Sequence, residues 1–245
     1  MVVEAVEYLT EEDLRREAFL GSFSGAREED EAGALGAASA AEDYPRGPLE
    51  ILHYPDPRLR AANAPVARFG PALRSLVDAM FETMYEAEGI GLAAPQVGVN
   101  ERLVVINAWG ERGQGRELAL ANPRVVARSA DAVPFEEGCL SLPGLYAEVL
   151  RPSAVTVRAQ CVDTGRQVRV RLAGLEARVF QHELDHLRGL LFADRAERDG
   201  LEEMKEGLQE LRQDYGREHG GEGGDWKLRR GIRTQEPGGG GQLYA

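Results

Sequence analysis

The sequence is poor in several things, and each shortage removes a class of function. Two cysteines, Cys139 and Cys161, in 245 residues are too few for a disulfide framework, so a reducing compartment fits best. No apolar run approaches the roughly 20 residues of a membrane-spanning helix, and no membrane partner is expected. Basic residues are outnumbered, 29 Lys and Arg against 41 Asp and Glu. The resulting net charge of −12 argues against a direct nucleic-acid partner, which needs a basic stripe. Residues 1–21 lack the apolar stretch of a secretory signal, and their acidity is wrong for an Arg-rich organellar transit peptide. What remains is a soluble, globular composition with 43% hydrophobic residues, enough for one sizeable core or one domain with tails.

Histidine is scarce too, with four in the chain, and two of them fall in His182-Glu183-Leu184-Asp185-His186. At four-residue spacing on a helix both imidazoles sit on one face and can reach one metal ion, with Glu183 beside them. A chance match to this pattern would usually lie on an exposed polar helix. Here Val179, Phe180, Leu184, Leu187, Leu190, Leu191 and Phe192 make the segment apolar enough for a core helix, where a histidine pair needs something to satisfy it. A catalytic metal site of this kind has three protein ligands and one position open to water. Of the residues that could supply the third ligand, His219 lies in a Gly-rich tail, while Asp194, Glu197 and Glu202 stay open. Cys139 is the better choice, because Glu136 to Gly144 is a segment bounded by Gly and Pro between strands, well placed to pass close to a helix. Cys161, in the middle of a strand pattern, reads as a small buried hydrophobe.

Along the chain, Thr10 and Asp13 resemble a capping box opening a short helix over 10–20. Residues 22–47 are Gly, Ala, Ser and Glu with few large apolar side chains, so 1–47 reads as an acidic, largely disordered extension. The compact domain is expected over 48–215. It opens with a strand or extended segment at 49–54, ended by Pro55-Asp56-Pro57. From Pro71, apolar residues recur at Leu73, Leu76, Val77, Met80, Phe81, Met84 and Tyr85, the clearest amphipathic helix in the chain, and a loop is expected at Gly89-Ile90-Gly91. Short strands are expected at 103–106, 119–122 and 125–127, and a β-hairpin from 155–162 and 167–172 about Asp163-Thr164-Gly165-Arg166. The histidine helix spans 175–188, a last helix spans 198–215, and 216–245 is a Gly-rich, frayed tail. Strands followed by helices, without a strict βαβ repeat, indicate an α+β fold.

Three strings in order then carry a resemblance: Gly89-Ile90-Gly91-Leu92-Ala93-Ala94-Pro95-Gln96, Glu137-Gly138-Cys139-Leu140-Ser141 and Gln181-His182-Glu183-Leu184-Asp185-His186. The chain resembles the peptide deformylases over about 48–196, and residues 134–152 with 177–180 look most like the plant organellar branch. The resemblance implies antiparallel sheets packed around a central helix carrying the histidine motif, with a C-terminal helix. It implies a metallohydrolase acting on linear amides, removing the N-formyl group from N-formylmethionine of new polypeptides and releasing formate. One divalent ion would be held by Cys139, His182 and His186, with iron(II) as the usual ion and zinc, nickel or cobalt as substitutes. Glu183 would be the general base and acid, Gln96 and the Leu140 N–H the oxyanion donors, and Ile90, Gly91 and Gly138 would contact substrate. Val179 and Tyr146 are candidates for lining the methionine pocket. Glu137, Arg151 and Asp185 are expected to form an ion network behind the ligands. Nascent formylated peptides are the partner, with the ribosome a further one, in a monomer or homodimer; the plastid stroma is the implied compartment, with the mitochondrial matrix and bacterial cytoplasm as alternatives. A zinc endopeptidase has no use for Cys139 or Gln96, and a non-enzymatic binding homologue has none for Glu183.

Overall fold

The computed structural model describes residues 6–10, 12–13 and 44–220. In chain order its elements are β1 (Val6–Tyr8), α1 (Pro71–Glu86), β2 (Gly91–Ala93), β3 (Leu103–Ile106), β4 (Leu118–Arg128), β5 (Ala132–Cys139) and β6 (Leu142–Pro152). They continue with β7 (Ala154–Cys161), β8 (Gln167–Ala173), α2 (Gly174–Leu187), α3 (Arg198–Glu203) and α4 (Lys205–His219). Six strands form one sheet in the order β1-β8-β7-β4-β3-β2, and β5 with β6 forms a second. Every strand pair is antiparallel, as the α+β reading requires.

The large sheet is covered on both faces. On one side α2 packs Ala177, Phe180, Leu184 and Leu187 against Val104, Ile106, Val157, Val168 and Val170. On the other side α1 packs Leu73, Leu76, Val77, Met80 and Met84 against Leu92, Leu103, Val105 and Ala121. This double covering explains why Leu103-Val104-Val105-Ile106 is an unbroken apolar run: alternate side chains point to opposite faces, and both faces are dry. A third cluster lies between β6 and the C-terminal helices, where Leu142, Ala147 and Val149 meet Phe192, Leu201, Met204 and Leu208.

Several elements differ from the sequence expectations. The strands expected at 119–122 and 125–127 are one strand, β4, bulged where Asn122 takes a φ of 51° ahead of Pro123. The Asn122 side chain pins that bulge by accepting from Val66 N–H and donating to Val66 C=O, which is why a turn-like Asn-Pro pair does not end the strand. Of the strand or extended segment expected at 49–54, the structure has no strand; single ties hold the backbone there, Leu52 N–H to Gln96 C=O and Tyr54 N–H to Ser141 C=O. The last helix is two helices that break at Met204, and the second continues to His219, past the expected end at 215. Tyr215 and His219 stack at 4.0 Å over that final turn, and Gly220 closes it in the left-handed conformation. The β5–β6 hairpin is unanticipated, because β5 is exposed along most of its length and shows no alternation. At Gly91 the expected loop is strand β2.

The capping box is in place: Thr10 N–H donates to Asp13 and Asp13 N–H donates to Thr10 Oγ1. The rest of the short helix, the expected disorder over 22–43 and the tail beyond 220 lie outside the described residues. The extension is not wholly apart from the domain, since Val6–Tyr8 is a strand of the main sheet. Among the described residues no helix is long and apolar enough to cross a membrane.

Candidate active site

Three elements converge to build the site. Helix α2 lies across the sheet with its apolar face buried, which aims His182, Glu183 and His186 at the end of β5, where Cys139 sits. The turn Ala94–Val97 brings Gln96 up beside them. Ligand-capable atoms of Cys139, His182 and His186 lie within 4.8 Å of one another, and Cys139 Sγ is 3.3 Å from His186 Nε2. Among the described residues this is the one such His, Cys, Asp or Glu cluster. The other candidates for third ligand are elsewhere: Asp194 is paired with Arg60, and His219 stacks on Tyr215.

The donor set fits a borderline divalent ion. A thiolate with two imidazoles is suited to it. His182 Nδ1 is 2.9 Å from Glu137 Oε2, a partner that turns the opposite ring nitrogen toward Cys139. His186 Nδ1 is buried with no hydrogen-bond partner among the described residues, so the two imidazoles differ in their support.

Glu183 is only 4% exposed, and its Oε2 has no hydrogen-bond partner among the described residues. Burial pushes its carboxyl up to about 7, against the pull of His182 and Arg151. Gln96, 2% exposed, accepts from Ala93 N–H through Oε1 at 2.7 Å, and this fixes which end of the amide points inward. Its Nε2 donates to Ser141 Oγ at 3.2 Å and lies 3.8 Å from Cys139 Sγ. Leu140 follows Cys139 in the turn from β5 to β6. Gly91 is glycine for a reason visible here: a Cβ would overlap Glu183 and come 2.6 Å from Val179 Cγ1. β2, which carries Gly91, is an edge strand of the large sheet. The Ile90 carbonyl is already taken by the Asn107 N–H at 2.9 Å, and a Cβ on Gly138 would meet the Tyr146 ring at 2.7 Å.

The expected ion network is present and larger than expected. Arg151 makes a bidentate pair with Glu137 at 2.6 and 2.8 Å and reaches Asp185 at 2.8 Å. Two further arginines, which sequence reasoning missed, complete it. Arg195 grips Asp185 at 2.6 Å through two bonds. Arg178 donates to Glu137 Oε1 at 2.7 Å, to the Val149 carbonyl at 2.9 Å and to the Val133 carbonyl, with its guanidinium 5.3 Å from the Phe135 ring centroid. Asn63 was also missed; it donates to the Leu187 carbonyl at 3.0 Å and ties down the C-terminal end of α2. No sequence signal singles out these three, since their partners come from distant segments.

A Cys-His-His cluster with both histidines buried, beside a buried carboxyl, defines the class: a protein with a candidate three-ligand metal centre. The family model described as polypeptide deformylase matches residues 48–202, and the chain belongs to that family. The chain is 52% identical over 178 residues to the chloroplastic peptide deformylase 1B of Oryza sativa subsp. japonica, covering 73% of this chain and 66% of that one. It is 41% identical over 168 residues to a peptide deformylase of Rhodopirellula baltica, 69% of this chain and 83% of the relative. Among solved structures, a plant peptide deformylase 1B matches with a TM-score of 0.71 at 48% identity, over 72% of this chain and 96% of that one. The chain spans 66%, 65% and 60% of the lengths of the rice, Arabidopsis thaliana and Solanum lycopersicum relatives, somewhat under two thirds.

Proposed function

We propose that this chain is a peptide deformylase that hydrolyses the formamide of N-formylmethionine at the start of new polypeptides and releases formate. The observation that carries the reading is the Cys139, His182 and His186 cluster, set beside a buried Glu183 and an inward-facing Gln96 amide. Membership of the family and the match over 48–202 support it.

In this reading Cys139, His182 and His186 hold one divalent ion, iron(II) by family habit. When bound, the ion supplies Lewis acidity and brings a water to nucleophilic strength near neutral pH. Glu183 takes the proton of the attacking water and returns it to the departing amine; its near-neutral carboxyl suits both transfers. The Gln96 amide and the Leu140 N–H donate to the oxygen on which negative charge develops. Ile90, Gly91 and Gly138 meet the peptide, which adds to the open edge of β2 as a further strand, its methionine side chain near Val179 and Tyr146. Residues 48–215 form the catalytic domain. The rice and tomato relatives carry chloroplastic names and the Arabidopsis relative a chloroplastic/mitochondrial one, which supports an organellar setting; the plastid stroma is the compartment we propose within it. The ribosome is the further partner that the substrate implies.

The test is to load the protein with iron or nickel and offer formyl-Met-Ala-Ser, its unformylated form and an internal peptide. Formate from the first alone is the expected result. Cleavage of internal bonds points to an endopeptidase, and no product from any of the three points to a binding protein; either would overturn the reading.

A further inference from the structure

Residues 6–9 lie far upstream of the domain in sequence and yet extend its sheet. β1 runs antiparallel to β8, with Val6 opposite Val170, Glu7 opposite Arg169 and Tyr8 opposite Val168. The Leu9 N–H carries the ladder one residue further by donating to the Gln167 carbonyl at 3.0 Å. Backbone pairing alone would accept any extended segment; here the side chains are matched as well. The Glu7 carboxylate is 3.2 Å from Arg169 Nη1. The Arg166 guanidinium stands 4.9 Å from the Tyr8 ring centroid, and the Tyr8 hydroxyl donates to Cys161 Sγ at 3.8 Å. Leu9 is 5% exposed. An acid, an aromatic and an aliphatic side chain in succession thus each find a fitting environment.

The other party has the matching character. Without β1, β8 would be the edge of the six-stranded sheet, offering the N–H and C=O groups of Gln167–Ala173 to any strand. Arg166, Arg169 and Arg171 make that edge basic in a protein of net charge −12, and Glu4, Glu7, Glu11, Glu12 and Asp13 make residues 1–13 acidic. β8 also leads directly into α2, so this edge belongs to the same framework that carries the histidines.

We propose that the outer edge of β8 is a docking site for an extended acidic segment, that Glu7-Tyr8-Leu9 of this same chain is its occupant, and that the side chains, not only the ladder, select it. The occupant is linked in cis through residues 14–43, which raises its local concentration at the edge without any further contact. Docked, it covers the Cys161 thiol with the Tyr8 hydroxyl. That thiol therefore reports on the site independently of turnover.

The experiment uses the full chain. Leu9→Pro removes the N–H that donates to Gln167, and Glu7→Arg sets like charges opposite Arg169 while leaving the backbone donors intact. Alkylation of Cys161 by iodoacetamide, read by peptide mass and so distinguished from Cys139, is expected to rise about fivefold or more in either variant, as a locally opened edge should. An excess of a synthetic peptide of residues 1–13 is expected to restore protection in the Leu9→Pro chain, and the same peptide with Tyr8→Ala is not. Equal alkylation in both variants and the parent chain would overturn the proposal. So would equal protection by the two peptides, because the side chains would then select nothing.

Discussion

Three carboxylates within the reach of one helix turn meet two different fates, and the difference is their partners. Glu137 accepts from Arg151, Arg178 and His182, and Asp185 accepts from Arg151 and Arg195, so both are fully paired. Glu183 is as deeply buried, and its Oε2 has no hydrogen-bond partner among the described residues. A group so placed gains little from being ionised, which is what a proton shuttle needs near neutral pH. Glu183→Gln keeps the shape and removes the titration. It should lower formate release by about 10²- to 10⁴-fold while bound metal, measured by mass spectrometry of the loaded protein, stays unchanged. A variant with turnover near the parent's would remove Glu183 from the chemistry. At this scale Glu183, Gln96 and the three candidate ligands were legible as motif residues. Arg178 was not, because a single arginine in a sequence rich in them gains meaning only from the hairpin it touches.

At the scale of elements, the site depends on holding the β5–β6 hairpin, which carries Cys139, against α2, which carries the histidines. Arg178 spans that joint, bonded to Glu137 and to carbonyls on both strands of the hairpin. Arg178→Met should therefore weaken metal binding by about 10- to 100-fold in chelator competition, as loss of supporting groups behind a ligand typically does. Arg178→Lys, which keeps a charge for Glu137 but lacks the fork, should fall between; an unchanged affinity in both would show the joint to be held by Arg151 alone. The same joint has a pH signature. Burial by itself would raise the Glu137 and Asp185 carboxyls, but Arg151, with Arg195 at Asp185, holds both well below the ordinary range. A folded pKa below the unfolded one means that the stabilisation is complete above the unfolded value of about 4 and is lost as pH falls through the folded one. The contribution of these two carboxylates to the thermal midpoint should be constant above about pH 5 and fall below about pH 4, with a shallower acid slope in Asp185→Asn. An acid slope identical in the parent and the variant would contradict the assignment. The helices and the β7–β8 hairpin were legible from periodicity and turn chemistry. The β5–β6 hairpin was hidden because its pairing is two-stranded and its outer residues, Val133 and Phe135, are exposed.

Over the whole molecule, the centre joins segments that are far apart in the chain, so a bound ion also cross-links the fold. Removal of metal by a chelator should lower the melting temperature by about 5–10 °C, the loss of a few kcal/mol of ligand-linked stability in a domain of this size. Calorimetry with and without chelator measures it, and coincident transitions would mean that the native fold holds no ion. The sequence by itself determined the helical face with its two histidines and glutamate, the amphipathic helix that backs the sheet, and the three motifs that mark the family. These are local properties, set by side-chain spacing of 3.6 or 2 residues and by residue identity within short windows. Tertiary structure alone decided that Cys139 comes within 3.3 Å of His186, that Arg178 and Arg195 complete the ion network, and that residues 6–8 close an edge of the sheet. Each of these unites groups separated by ten to more than a hundred and fifty positions. Pairing at such separations depends on where the packed core places each backbone, and no window of sequence contains that information.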